Sequence, residues 1–308
     1  MTQRHGGRLT RREALAVAVG AAGFATLAGK TVLAALSPEA TTRMKIGCGT
    51  VNFRRRPVRE AMERIRRAGY EYVEPQATGP WCPHVDVVKD DPEKFRKMVQ
   101  NLGFKGVTGL WAGGDMAQTI RWAQAAGIPV VHTGDGHIAD SVSEADALKQ
   151  LRNRLASILE VAEKCRVYVA IEPHGNFSLT ADGLKQIMGL SDSKWLGINY
   201  DTANVHRVTY AKNAPGAFSF RIFGRRQNEV ATLDAVADRV VHVHVKDVVG
   251  DRCVPLGEGD VNILGCLRVL EKHHYAGVVS LETEGDLDVE QTQRLIETSR
   301  TYLVRALG

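Results

Sequence analysis

Val167-Tyr168-Val169-Ala170-Ile171-Glu172-Pro173-His174 is a short β-branched run that ends on a carboxylate and an imidazole. Strand side chains alternate, so Val167, Val169 and Ile171 take one face while Tyr168, Ala170, Glu172 and His174 take the other. Three later runs repeat this design. Leu196–Asp201 sets Leu196, Ile198 and Tyr200 against Gly197, Asn199 and Asp201. Val240–Lys246 sets Val241, Val243 and Val245 against His242, His244 and Lys246. Gly277–Glu282, extended to Glu284, sets Val279 and Leu281 against Val278, Ser280, Glu282 and Glu284. Each run has one apolar face, and its polar face ends in a residue able to bind a metal.

Four more strand-like runs precede these, at Met44–Gly49, Tyr70–Glu74, Gly106–Trp111 and Pro129–Thr133. Between the runs lie helical patterns at Val58–Ala68, Pro92–Leu102, Met116–Ala126, Glu144–Lys164, Ala181–Leu190, Leu233–Asp238, Asn262–His274 and Val289–Leu307. Ala68-Gly69, Leu102-Gly103 and Ala126-Gly127 are helix-stop signals placed just before the next strand. Eight strand–helix pairs in about 265 residues predict a single-domain α/β fold, a (β/α)8 TIM barrel over residues 44–308. An open doubly wound sheet is the competitor, but no G-x-G-x-x-G follows the first strand. About 25 residues separate Asn204 from the sixth helix, too many for a plain loop. Within them Phe218-Ser219-Phe220-Arg221-Ile222-Phe223 and Arg225-Arg226 suggest a lid or substrate-contacting flap.

Barrel strands carry functional groups at their C-terminal ends, so Glu172, Asp201, His244 and Glu282 should converge at one rim. Three carboxylates brought together without a cation would repel and take up protons. A divalent ion removes that cost, and three oxygens plus one imidazole suit Mn2+, Mg2+, Co2+ or Zn2+.

In this order the motifs Glu172-Pro173-His174, Asp201-Thr202-Ala203-Asn204, His242-Val243-His244-Val245-Lys246-Asp247 and Leu281-Glu282 resemble the xylose isomerase-like TIM-barrel superfamily. They resemble its sugar phosphate isomerase/epimerase branch most closely, and Pro255-Leu256-Gly257-Glu258-Gly259-Asp260-Val261 is similar to a loop common there. The resemblance implies one divalent metal held by Glu172, Asp201, His244 and Glu282, with the two glutamates as acid/base groups on opposite faces of the substrate. It covers the chain from residue 44 onward.

An ion at this position would polarise a sugar carbonyl and acidify the neighbouring C–H. Glu172 and Glu282 are then the candidate bases, giving an enediolate whose reprotonation isomerises or epimerises the sugar. Expulsion of a β-substituent instead would make the protein a lyase on keto-glycosides. Lys246 is a candidate oxyanion stabiliser or partner of Glu282. His174, Asn204, Trp111, His132 and Glu74 are candidate substrate contacts at or near strand ends, and His242 reads as a core histidine. Asn204 stands where epimerase relatives of the tagatose type carry a histidine, which argues against a plain ketose 3-epimerase. The expected partner is a small carbohydrate.

The chain has 40 basic and 35 acidic side chains, a net +5 that would suit a nucleic-acid ligand. The excess is local, because residues 1–36 hold Arg4, Arg8, Arg11, Arg12 and Lys30 against Glu13 alone. The remaining 35 basic and 34 acidic groups leave +1. That near-neutral body, together with Asn204, argues against a superfamily relative that cuts DNA at abasic sites. A non-catalytic sugar-binding barrel is a further alternative. Thr10-Arg11-Arg12-Glu13 before the apolar Ala16–Gly29 run resembles a twin-arginine export signal over residues 1–36, with 37–43 as linker. The expectation is a periplasmic or extracellular protein with no stable membrane span once the signal is cleaved. Five cysteines without a C-x-x-C pair read as free thiols. The oligomeric state, a homo-oligomer included, is left open.

Overall fold

The computed structural model describes residues 44–136, 142–175, 177–207, 209–214, 217–222 and 225–308, with the backbone alone for 209–214 and 217–222. The export segment and linker read at residues 1–43 lie outside the described residues, as does Phe223 of the expected flap. Among the described residues no helix is long and apolar enough to cross a membrane.

Eight parallel staves close on themselves. They are β1 (Lys45–Gly49), β2 (Tyr72–Glu74, continued as Gln76–Thr78), β3 (Gly106–Val107, continued as Leu110–Ala112) and β4 (Val130–Gly136). The circle continues with β5 (Tyr168–Gly175), β6 (Leu196–Asp201), β7 (Val240–Val245) and β8 (Val278–Leu281). Each pairs with the next, and β8 returns to β1 through Lys45↔Val278 to Cys48↔Leu281. A short antiparallel segment, Cys82–Pro83, adds to the rim at Gln76–Thr78 and makes the sheet mixed.

Helices α1 (Val58–Arg67), α2 (Pro92–Asn101), α3 (Met116–Ala126), α4 (Glu144–Cys165) and α5 (Ala181–Met188) follow the first five staves. They are joined by α6 (Glu229–Asp234), α7 (Ile263–Lys272) and α8 (Val289–Leu307). Polar caps start most of them: Asp91, Asp115, Ser143, Thr180, Asn228 and Asn262 accept backbone N–H groups, and Asp288 forms a capping box with Gln291. At the far end of α3, Gly127 takes φ +78°, the left-handed cap that a Cβ would resist.

The apolar faces read from the sequence form the layer between barrel and helices. Val169, Ile171, Ile198, Tyr200, Val243, Val245, Val279 and Leu281 are all buried there. At about 25 cal/mol per Å2 of apolar surface removed from water, this layer is the main source of cohesion.

Two sequence expectations shift. The alternation fails at Val241, because the β6–β7 register slips between Val240↔Ile198 and His242↔Asn199. Val240 therefore joins the helix-facing set, and the Val241 methyls stand 2.7 Å from where a Gly197 Cβ would lie. The bulge realigns the strand, and His242, His244 and Lys246 keep their inward positions. The sixth helix begins at Glu229, not Leu233, because the Asn228 side chain caps it, and Ala237–Arg239 forms a separate 3-10 turn. The long β6–α6 connection holds a short helix, Thr202–Arg207, and a hairpin pairing Thr209–Ala214 with Ala217–Ile222.

Candidate active site

The four candidate ligands at the strand ends meet. One donor atom from each of Glu172, Asp201, His244 and Glu282 lies within 4.8 Å of the others, and all four residues are buried. His244 directs Nδ1 at the carboxylates, 3.3 Å from Glu282 Oε2, 3.5 Å from Glu172 Oε2 and 4.0 Å from Asp201 Oδ2.

Each carboxylate is held by bonds from outside the cluster. Asp201 Oδ1 accepts the backbone N–H of Ala203 and Asn204, which fixes the start of the short helix and leaves Oδ2 facing inward. Glu282 Oε1 accepts from Gln76 Nε2 at 2.8 Å. Asn199 Nδ2 donates to Glu172 Oε2 at 2.9 Å, and Asn204 Nδ2 reaches Glu172 Oε1 at 3.4 Å. Such outer bonds orient ligands toward an ion.

Lys246 supplies the cluster's fixed positive charge. Its Nζ is fully buried and lies 2.9 Å from each of Asp201 Oδ2, Glu282 Oε2 and Glu284 Oε2. Thr202 Oγ1 donates to the Lys246 carbonyl and accepts its N–H, tying the ends of β6 and β7 together. Beyond Lys246, the Asp247 carboxylate accepts the N–H groups of Val248, Gly257, Gly259 and Val261. That is the physical reason for the Pro255–Val261 motif, which wraps one carboxylate at the rim. A cavity of about 340 Å3 opens beside Glu284, with Asn52, Cys253 and Thr283 among its walls.

Electrostatics follow from burial among mixed charges. Burial alone would push every carboxyl up, but His244 and His132 hold Glu172 well below its usual range. His244 and Lys246 likewise hold Glu282 low. Asp201 is raised, because burial and the charges of Glu172 and Glu282 outweigh Lys246. Burial disfavours the charged imidazole of His244, yet Glu282, Glu74 and Glu172 lift it well above 6.5. Lys246 is also raised, its carboxylates overcoming burial. Without an ion the site therefore keeps Glu172 and Glu282 charged beside protons held on His244 and Lys246, while Asp201 is shifted toward its protonated form.

The other residues named from sequence fall in two places. Trp111 is half-buried at the rim, with its ring 5.3 Å from His174 edge-on and 5.6 Å from His132. The His174 N–H donates to Ser178 Oγ. Asn204 sits against Glu172, and its neighbour His206 turns away to Glu229 at 2.9 Å. Glu74 and His132 lie deeper and are buried. Glu74 Oε1 accepts from His244 Nε2 at 2.7 Å and stands 2.6 Å from His132 Nε2. His242 stacks on His132 at 5.4 Å, and burial beside His244 and His132 pushes its pKa down to about 3. Two contributors were not singled out in advance. Gln76, two beyond Glu74 on the same face, follows from the parity rule applied to the second strand. Asn199 was on the inward face but carried no assigned role.

The closed parallel barrel brings three carboxylates and an imidazole together at one rim, a donor set that fits a divalent ion. The family model described as xylose isomerase-like TIM barrel matches residues 62–303, and the chain belongs to that family. An uncharacterised protein of Methanocaldococcus jannaschii is 27% identical over 178 residues, and the match spans 55% of each chain. The chain thus spans about half the length of that curated relative. A D-tagatose 3-epimerase-like protein superposes with TM-score 0.67 at 20% identity, over 86% of this chain and 97% of its own. The 3-keto-D-glucoside 4-epimerase YcjR of E. coli gives 0.65 at 17%, over 85% and 100%. The IolI protein with a bound zinc atom gives 0.65 at 15%, over 86% and 98%. At these identities the likeness to the three structures is one of fold.

Proposed function

We propose that the protein is a divalent-metal-dependent sugar isomerase or epimerase that moves a proton at a carbon next to a carbonyl. One observation carries this reading. Two buried glutamates, Glu172 and Glu282, come from separate staves into one cluster, each ionised and each held by an amide side chain. The donor set fits a divalent ion, since three carboxylate oxygens and one imidazole nitrogen lie within 4.8 Å of one another.

When bound, the ion supplies Lewis acidity that polarises the substrate carbonyl. The chain's own groups do the rest. One glutamate removes the proton from the adjacent carbon, leaving an enediolate, and the same glutamate can hand that proton to the neighbouring carbon. Delivery to the opposite face requires the other glutamate first to take up a proton from solvent or a substrate hydroxyl. Lys246 holds Asp201 and Glu282 in place and sets a positive charge beside the developing oxyanion. Trp111 offers a flat wall to a sugar ring, with His174 and Asn204 within reach of its hydroxyls.

A second reading is a lyase on keto-glycosides, expelling a β-substituent from the same enediolate. The buried Lys246 ammonium favours it, because a departing oxygen needs a nearby positive charge. Export through the twin-arginine route, which the first 36 residues support, would bring such glycosides within reach. Incubation of the metal-loaded protein in D2O with free sugars, sugar phosphates and 3-keto-glycosides tests both readings. Deuterium at carbon without loss of the aglycone is expected for the first, and aglycone release for the second. Absence of both deuterium incorporation and aglycone release across the panel refutes the assignment.

A further inference from the structure

Below the rim cluster lies a second set of ligand-type atoms that the proton-transfer reading does not use. Glu74, His132, His242 and His244 are buried, and one donor atom from each lies within 4.8 Å of the others. We propose that Glu74, His132 and His242 form a second, deeper divalent-metal site of nitrogen-rich character, with His244 standing between the two centres.

Hydrogen-bond accounting leads there. Asn199 spends its amide nitrogen on Glu172, so its Oδ1 is the atom that meets His242 Nδ1 at 2.8 Å. An amide oxygen only accepts, so Nδ1 carries the His242 proton and Nε2 presents a lone pair. That lone pair faces Glu74 Oε2 at 3.6 Å, and neither atom has a hydrogen-bond partner although both are buried. Two buried acceptors aimed at each other are costly unless a cation lies between them. His132 Nε2 comes within 2.6 Å of Glu74 Oε1, so a second imidazole closes on the same carboxylate.

Space at these nitrogens is kept by an absent side chain. Gly109 takes an inward position in the third stave, and a Cβ there would stand 3.0 Å from His132 Nε2 and 3.4 Å from His242 Nε2. A Cβ there would crowd the His132 ring and reach contact distance of His242.

The donor sets also differ chemically. The rim offers three oxygens and one nitrogen, whereas the deep set offers two imidazoles and one carboxylate. Imidazole-rich sites favour Zn2+ and Co2+, while oxygen-rich sites accept Mn2+ and Mg2+. His244 serves the rim through Nδ1 and hydrogen-bonds Glu74 through Nε2, so one ring links both sites.

The test uses the whole chain, folded in the presence of Zn2+. Zinc per chain is measured by elemental analysis, and ions are located by anomalous scattering at the zinc edge in wild-type crystals. The expected result is two zinc peaks, one among Glu172, Asp201, His244 and Glu282 and one among Glu74, His132 and His242. His242→Phe keeps the stacked ring but removes the ligand, and should lose the deep peak alone. Asp201→Asn should weaken the rim peak and keep the deep one, which separates this claim from the assignment of the rim. A single rim peak in saturated wild-type protein, or deep density without anomalous signal (an ordered water), would overturn the proposal. So would a deep ion that survives His242→Phe.

Discussion

Lys246→Met removes the one ammonium at 2.9 Å from three buried carboxylates while preserving a straight apolar stem. At an effective dielectric of about 20, each of those attractions is worth about 6 kcal/mol before the cost of desolvation. Desolvating the ammonium takes back most of this. Deleting one partner of a buried ion pair typically costs about 3–5 kcal/mol, because the other charges stay behind uncompensated. In a barrel of this size that corresponds to a loss of about 6–20 °C in melting temperature. Denaturant titration in chelator, at pH 7.5, measures the loss directly. Mn2+ should then stabilise the variant more than the wild type, since an added cation replaces the missing one and no ammonium competes for Asp201 and Glu282. At one fixed Mn2+ concentration, about a hundredfold over the wild-type Kd, the wild type gains about 2.7 kcal/mol, so the variant's gain above that figure is the quantity to read. A variant that loses less than about 1 kcal/mol, or that gains no more from Mn2+ than wild type, would show that the carboxylates do not need a cation.

Three further outcomes follow from the same geometry. Glu172→Gln and Glu282→Gln should each slow deuterium exchange into substrate by about 100- to 10,000-fold, read by mass spectrometry, with the fold intact by circular dichroism. His244 is held above 6.5 in the ion-free protein, mainly by Glu282, Glu74 and Glu172 against the effect of burial, so binding an ion must expel its proton. Its stabilising contribution is present below pH 6.5 and is lost as pH rises through the folded-state value. Metal affinity should accordingly rise about tenfold per pH unit below that value, with proton release visible by calorimetry in buffers of different ionisation enthalpy. Burial pushes the Cys82 and Cys253 thiols up to about 12 and about 11, so in native protein at pH 8 only the half-buried Cys165 should alkylate quickly.

Much of this site is legible in the sequence because strand parity is a local rule with a global consequence. Val169 and Ile171 bury outward only if Glu172 faces the barrel axis, and the same holds for Asp201, His244 and Glu282. What parity misses is anything that depends on register or on contacts between distant segments. Val241 breaks the alternation through a bulge that Gly197 accommodates, a fact visible only once β6 and β7 are paired. Parity reaches Gln76, which holds Glu282 across the rim, only if the second stave continues past Pro75, and its pairing with Trp111 of the third stave is what shows that. Asn199 matters because its two amide atoms point at different neighbours, Glu172 and His242, which no spacing rule encodes.

The central claim is that the rim ligands bind a divalent ion. Titration of ion-free protein with Mn2+, followed by the electron paramagnetic resonance signal of free Mn2+, tests it most directly. Wild-type protein should remove at least one equivalent of free Mn2+ per chain, and Asp201→Asn should lose that equivalent while remaining folded. Wild-type protein that leaves the free signal undiminished, or an Asp201→Asn variant that binds as well as wild type, would contradict the account.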